Sequence, residues 1–162
     1  MDYLWSPWRY RYVTQAVPQE GCVFCRKMQE NDDERNFVLY RGVNNFVLLN
    51  LYPYTSGHLM IAPYAHIGRL AEADDATWME MMTLTRTAER AVQQAYKPEG
   101  INLGMNLGKS AGAGIADHIH MHVLPRWVAD SNFITVVGET RVLPEELAVT
   151  WRRLREALNT QG

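Results

Sequence analysis

No stretch of the chain approaches the roughly 20 consecutive apolar residues that a membrane helix needs, and Met1 to Tyr12 carries aromatics and arginines where a signal peptide would carry an apolar run. Both absences predict a cytoplasmic protein with no membrane partner. An excess of one charge is also lacking: 16 basic against 18 acidic residues leave a formal charge of −2. Without a global positive field, nucleic acid is not an expected partner, and any phosphate must be gripped locally. Cysteine is scarce, with two in 162 residues, so a disulfide-built scaffold is excluded. Spaced as Cys22-Val-Phe-Cys25 in a reducing compartment, the two suit a metal site or a redox pair. Internal repeats and low-complexity tracts are absent as well.

What is present is the mixture from which a globular core is built, 47% apolar and 21% charged. A chain of this length buries roughly 70% of its unfolded surface. Residues 1–20 read as an N-terminal arm ending in a polar linker around Pro18, and residues 21–162 as a single domain. In the arm, Trp8-Arg9-Tyr10-Arg11-Tyr12 interleaves aromatics with arginine in the manner of a single-strand nucleic-acid binder. The slightly negative net charge weighs against that reading.

Phe37 to Tyr40 and Phe46 to Asn50 are β-prone runs separated by Gly42 and the Asn44-Asn45 pair, which predicts a hairpin. Gly57 to Pro63 reads as a third strand, and the short connections imply antiparallel pairing. From Asp75 to Tyr96 the apolar period becomes helical. Trp78, Met81, Met82, Thr85, Ala88, Val92 and Ala95 recur at spacings of three and four, Asp74 or Asp75 can cap the start, and Pro98 with Gly100 marks the end. That stripe reads as the face packed on the sheet. Ile101 to Asn106 and His118 to Pro125 read as further strands on either side of a glycine-rich loop, Gly108 to Gly114. A last helix is predicted from Pro144 to Leu158, with Glu145 and Glu146 at its positive end and Arg152, Arg153 and Arg155 near its negative end.

The informative segment is Asp117-His118-Ile119-His120-Met121-His122-Val123-Leu124-Pro125-Arg126. A strand turns successive side chains to opposite faces, so His118, His120 and His122 share one face while Ile119, Met121 and Val123 enter the core. Aligning three imidazoles has no packing benefit. Such a row suits metal ligation, or proton and nucleophile work near neutral pH. His58, alone in its strand, reads as a hydrogen-bonded scaffold residue. Upstream of the row, Asn106-Leu107-Gly108-Lys109-Ser110-Ala111-Gly112-Ala113-Gly114 lacks P-loop spacing. Its glycines still let backbone N–H groups approach an anion closely. An anion cradle beside a nucleophile is what phosphoryl or nucleotidyl transfer needs.

His118-Ile-His120-Met-His122-Val-Leu resembles the motif of the histidine triad (HIT) superfamily, and Gly57-His58-Leu59-Met60-Ile61-Ala62-Pro63 resembles that superfamily's preceding strand. The likeness covers about Cys22 to Arg126. Leu4-Trp5-Ser6-Pro7-Trp8-Arg9, Asn132-Phe133-Ile134 and Thr140-Arg141-Val142-Leu143-Pro144-Glu145 are similar, more narrowly, to bacterial diadenosine tetraphosphate phosphorylases. The resemblance implies an α+β fold of HIT type: a five-stranded antiparallel sheet carrying a long helix and a C-terminal helix, paired into a homodimer. It further implies an enzyme that cleaves diadenosine polyphosphates. His120 would attack the α-phosphorus to form a nucleotidyl–histidine intermediate, and His122 would contact the phosphate and assist the leaving group. Asn50 matches a ribose-contacting position and Asn106 a polar residue near the scissile phosphate. Many triad hydrolases carry Gln and Ser or Thr before the first histidine, where this chain has Ala113, Gly114 and Ile115. Backbone N–H groups of Gly112, Ala113 and Gly114 are the expected substitutes for phosphate contact.

The same resemblance extends to zinc-containing relatives in which His66 and His118 match the ligands that complete a site with Cys22 and Cys25. A closed Cys2His2 zinc site of that kind is structural, and it removes His118 from acid–base duty. Two readings of the acceptor stay open. Phosphate as acceptor makes the enzyme a phosphorylase yielding ADP and ATP; water makes it a dinucleoside polyphosphate hydrolase. A nucleoside phosphoramidate hydrolase of the same fold is a further alternative.

Overall fold

The computed structural model describes residues 21–128, 130, 131, 135, 137 and 143–160. The N-terminal arm, Asn132-Phe133-Ile134 and Thr140-Arg141-Val142 lie outside the described residues. A helix α1, Val23–Gln29, and a single turn α2, Asp33–Asn36, lead into strands β1, Val38–Arg41, β2, Asn45–Leu49, and β3, Leu59–Pro63. Helix α3, Asp75–Tyr96, follows, then β4, Gly100–Gly104, β5, Met121–Arg126, and helix α4, Leu147–Asn159. The strands form one five-stranded sheet in the order β1-β2-β3-β5-β4, and every neighbouring pair is antiparallel.

Strict alternation in the central strands builds two cores from one sheet. Val47, Leu49, Leu59, Ile61, Ile119, Met121 and Val123 meet α3 and α4 on one face. Phe46, Leu48, Met60 and Ala62 point the other way and close around Phe24 of α1. Helix α3 follows its expected bounds, and Asp74 caps it by accepting the Thr77 N–H at 2.7 Å. Its buried stripe is Thr77, Met81, Leu84, Thr85, Ala88, Ala91 and Val92. Met82, expected in that stripe, is instead 42% exposed. Each fully buried Met81 or Val92 side chain contributes about 1.5–3 kcal/mol of transfer free energy.

Three expectations are corrected. The triad strand begins at Met121, so His118 and His120 precede its ladder; Ile119 N–H is tied instead to Ile67 O at 2.8 Å. Helix α4 starts at Leu147 and not at Pro144, because Glu145 is engaged elsewhere: its carboxylate takes hydrogen bonds from Tyr96 and Thr150. No basic residue sits in the last turn of α4. Arg155 bonds Val38 O at 3.2 Å and stacks on Trp151, and Arg153 pairs with Glu145. Contacts with the body of the domain, rather than the helix dipole, hold two of these arginines.

The hairpin turn between β1 and β2 is organised by a residue from α3. The Glu80 carboxylate accepts the N–H groups of Val43, Asn44 and Asn45 at 2.6–2.8 Å, and the Asn45 amide at 2.9 Å. Partial burial works to raise its pKa, and these hydrogen bonds outweigh burial to leave the carboxyl below its ordinary range. Gly42 is required for steric reasons, since a Cβ there would lie 2.8 Å from the backbone oxygen of Asn45 and 2.7 Å from Glu80 Oε1.

Candidate active site and metal centre

The side chains of His118, His120 and His122 leave the sheet on the face opposite α3, as period-2 alternation requires. Phe24 of α1 packs 5.1 Å from both the His118 and His120 rings, and the His120 and His122 rings are 4.8 Å apart. His118 and His120 are buried, and His122 is half-buried. Burial holds His120 below the ordinary histidine pKa, against an opposing hydrogen bond to the backbone. Burial, helped by the neighbouring His120, lowers His122 to about 4. Both rings are therefore neutral at pH 7.

Backbone atoms assign the tautomers. A carbonyl only accepts, so the contact of His120 Nδ1 with His118 O at 2.9 Å places the proton on Nδ1. The lone pair of His120 is then on Nε2. By the same rule His118 Nε2 donates to Pro63 O at 2.8 Å and directs the lone pair of Nδ1 toward the cysteines.

The third assignment runs through His58. Tyr54 N–H donates to His58 Nδ1 at 3.2 Å, so neutral His58 carries its proton on Nε2. That Nε2 lies 2.9 Å from His122 Nδ1, which must accept. His122 is left with an N–H at Nε2. Three neighbouring imidazoles thus present a lone pair aimed at the cysteines, a free lone pair and a donor.

His58 is buried and hydrogen-bonded, as a scaffold residue should be, but its partner is His122. Sequence reasoning missed that link. One signal was available: His58 shares parity with Met60 and Ala62, and so shares the histidine face. The adjacency itself comes from the β3–β5 register, in which Met60 stands opposite His122.

Asn50, directly after β2, donates its N–H to His58 O at 3.1 Å. Its side chain accepts from Tyr52 N at 2.9 Å and turns the amide nitrogen toward His58 Nδ1 at 3.4 Å. Asn106 is half-buried and follows β4, whose Gly104 pairs with His122, so it enters the loop at the sheet end where His120 lies. In that loop a short 3-10 turn, Lys109–Ala111, is flanked by Gly108 and Gly112 in left-handed conformations, φ 82° and 90°. Gly112 N–H bonds Lys109 O at 2.9 Å and Ala113 N–H bonds Gly108 O at 3.3 Å. Those two donors close the turn itself.

Cys22, Cys25, His66 and His118 converge, with one ligand atom from each lying within 4.8 Å of all the others. Cys22 caps α1, Cys25 sits in its first turn, His66 follows β3 and His118 precedes β5. The sulfur–nitrogen separations are 3.3 Å for Cys22–His118, 3.4 Å for Cys25–His66 and 3.7 Å for Cys25–His118. Tetrahedral zinc, at about 2.3 Å to sulfur and 2.0–2.1 Å to nitrogen, separates such ligands by about 3.6 Å. The donor set and its spacing fit zinc. Burial lowers the pKa of His118, which keeps the imidazole neutral as a ligand must be. Burial and the adjacent Cys22 push the Cys25 thiol up.

The HIT domain family model matches residues 31–128. The chain is 39% identical over 158 residues to the AP-4-A phosphorylase of Mycobacterium tuberculosis, covering 93% of this chain and 81% of that protein. It is 27% identical over 93 residues to the asymmetrical bis(5'-nucleosyl)-tetraphosphatase of Schizosaccharomyces pombe, covering 57% of this chain and 50% of that one. Among solved structures, a Zn-bound histidine triad family protein from Mycobacterium smegmatis matches with a TM-score of 0.71 at 28% identity, covering 87% of this chain and 95% of that one. The family match runs from α2 through β5 and takes in the whole histidine row, so the chain belongs to the HIT domain family.

Proposed function

We propose that this chain cleaves diadenosine tetraphosphate by nucleotidyl transfer through His120, with inorganic phosphate as acceptor. Its named relatives are enzymes. The observation that carries the reading is the 2.9 Å bond from His120 Nδ1 to His118 O, which frees Nε2 as a neutral nucleophile. Nε2 attacks the α-phosphorus, the P–N bond forms, and the P–O bond to the leaving nucleotide breaks. The ring becomes cationic, and its Nδ1–H to the carbonyl stabilises that charge. His122 Nε2–H donates to the departing phosphate oxygen. Phosphate then attacks the same phosphorus, and the P–N electron pair returns to Nε2. Diadenosine tetraphosphate and phosphate leave as ADP and ATP.

Asn50 is assigned to the ribose and Asn106 to the scissile phosphate. Gly112 and Ala113 shape the turn that presents Gly114 N–H to phosphate. Water as acceptor is the second reading, favoured by the likeness to the fission-yeast tetraphosphatase. A phosphoramidate hydrolase of the same fold is the third reading. Incubation with diadenosine tetraphosphate, with and without phosphate, tests the choice. Phosphate-dependent ADP plus ATP is expected, and AMP plus ATP in both tubes overturns the phosphorylase. Turnover of adenosine phosphoramidate alone overturns both polyphosphate readings.

The Cys22–Cys25–His66–His118 cluster is proposed to hold a structural zinc, which would tie the start of α1 to the triad. It leaves no ligand position for substrate. Two thiols in such a cluster favour a reducing compartment, the cytoplasm. Pairing into a homodimer is supported by the edge strand β4, whose Leu103 is 52% exposed. Light scattering that returns a monomer mass overturns the dimer.

A further inference from the structure

We propose that Tyr96, held by Glu145, is a positioning residue for His122: its ring fixes the Gly57-His58 corner and so the hydrogen bond from His58 to His122. The role of His122 in this inference rests on the proposed reaction. Gly57 is buried and left-handed, φ 83°, and a Cβ there would lie 3.0 Å from Tyr96 Cε2 and 3.2 Å from Pro125 Cγ. The chain therefore passes between the tyrosine ring and the end of β5 at the residue preceding His58. Thr55 ties the same loop to β5 by donating Oγ1–H to Pro125 O at 2.9 Å.

Tyr96 is the last residue of α3, where a helix has no further turn to hold a side chain in place. Its ring is fixed from outside. The hydroxyl donates to Glu145 Oε1 at 2.5 Å, Thr150 donates to the same oxygen at 2.8 Å, and Arg153 Nη2 pairs with Oε2 at 3.1 Å. The Arg153 guanidinium lies 5.2 Å over the ring, and Trp127 meets it edge-on at 6.4 Å. Burial, and the bond to Glu145, raise the pKa of the hydroxyl, so it stays a donor across the working pH range. The segment that leads into α4 thus reaches the triad in four steps: Glu145 to Tyr96, Tyr96 to Gly57, Gly57 to His58 along the chain, and His58 to His122.

The test is the ring-nitrogen spectrum of His122 in 15N-labelled protein at pH 7, recorded for Tyr96→Phe, Glu145→Ala and Glu145→Gln. Leu158→Ala, a truncation in the core thirteen residues after Glu145, serves as the stability control. Tyr96→Phe and Glu145→Ala should shift the His122 Nδ1 resonance away from its hydrogen-bonded value. They should also lower kcat by about tenfold to a hundredfold with KM little changed, the usual effect of a misplaced group. Glu145→Gln keeps an acceptor oxygen and should resemble the wild type. Leu158→Ala should lower Tm with the His122 signals in place. Unchanged signals in Tyr96→Phe and Glu145→Ala, or equal shifts in Leu158→Ala, overturn the proposal. The spectrum needs no substrate, so an inactive wild type whose His122 still responds removes the proposed reaction and leaves the positioning role standing.

Discussion

Replacing His58 by Phe keeps most of the buried volume and deletes both ring nitrogens. Besides the half-buried Asn50 amide at 3.4 Å, two groups lose their partner: Tyr54 N–H, bonded at 3.2 Å, and His122 Nδ1, bonded at 2.9 Å. An unsatisfied buried polar group costs about 1–3 kcal/mol, with the lower end fitting the half-buried His122. The sum is about 2–4 kcal/mol, which for a chain of this size lowers Tm by about 4–16 °C. The effect on turnover is separate. Without His58 the His122 ring loses both its orientation and its defined tautomer, and a loss of about tenfold to a hundredfold in kcat is expected. His58→Gln, whose amide can still donate to His122 Nδ1, should recover much of that loss. Thermal denaturation and product chromatography with diadenosine tetraphosphate measure the two effects. A His58→Phe enzyme with wild-type kcat, or a His58→Gln enzyme no better than His58→Phe, would refute the tautomer argument.

Glu80→Ala removes the one carboxylate that accepts from four N–H groups and should destabilise the domain by about 2–3 kcal/mol, read by urea titration. Because the Glu80 pKa is lowered on folding, its contribution is present above the unfolded value of about 4.3 and is lost as pH falls through the folded value. The sign is the same for His122, whose folded pKa of about 4 lies below the unfolded value of about 6.5. Stability should fall as pH drops from about 6.5 to 4, by about 1–2 kcal/mol from this ring after discounting for solvent screening, and His122→Asn should reduce that slope. Chelation of zinc, or Cys25→Ser, should lower Tm and expose Phe24, seen as quenchable fluorescence from a Phe24→Trp reporter. Metal content well below one zinc per chain would remove the structural-zinc proposal.

Much of the architecture was legible from short-range pattern. Val47, Leu49, Leu59 and Ile61 alternate with Phe46, Leu48, Met60 and Ala62 because each strand lies between two apolar layers. Asp74 and the spacing of Met81, Thr85, Ala88 and Val92 marked α3 to its ends. The expected start of α4 at Pro144 failed for a long-range reason: Glu145 is drawn to Tyr96, 49 residues earlier in the chain. Met82 was misplaced because neighbouring methionines are equally apolar, and only the angle of the helix on the sheet decides which one is covered.

The histidine row, its common face and the paired cysteines could be read from spacing alone, since strand alternation and a two-residue gap are local geometry. Where those groups find their partners is a matter of register. Cys22 and Cys25 meet His118 across more than ninety residues, and His58 meets His122 across 64. Such meetings depend on which strand lies beside which, and on backbone carbonyls at Pro63 and His118 that no side-chain pattern announces. Residue types made metal binding and nucleophilic chemistry available to the three triad imidazoles. The folded chain adds what residue types alone leave open: which nitrogen of each ring carries the proton.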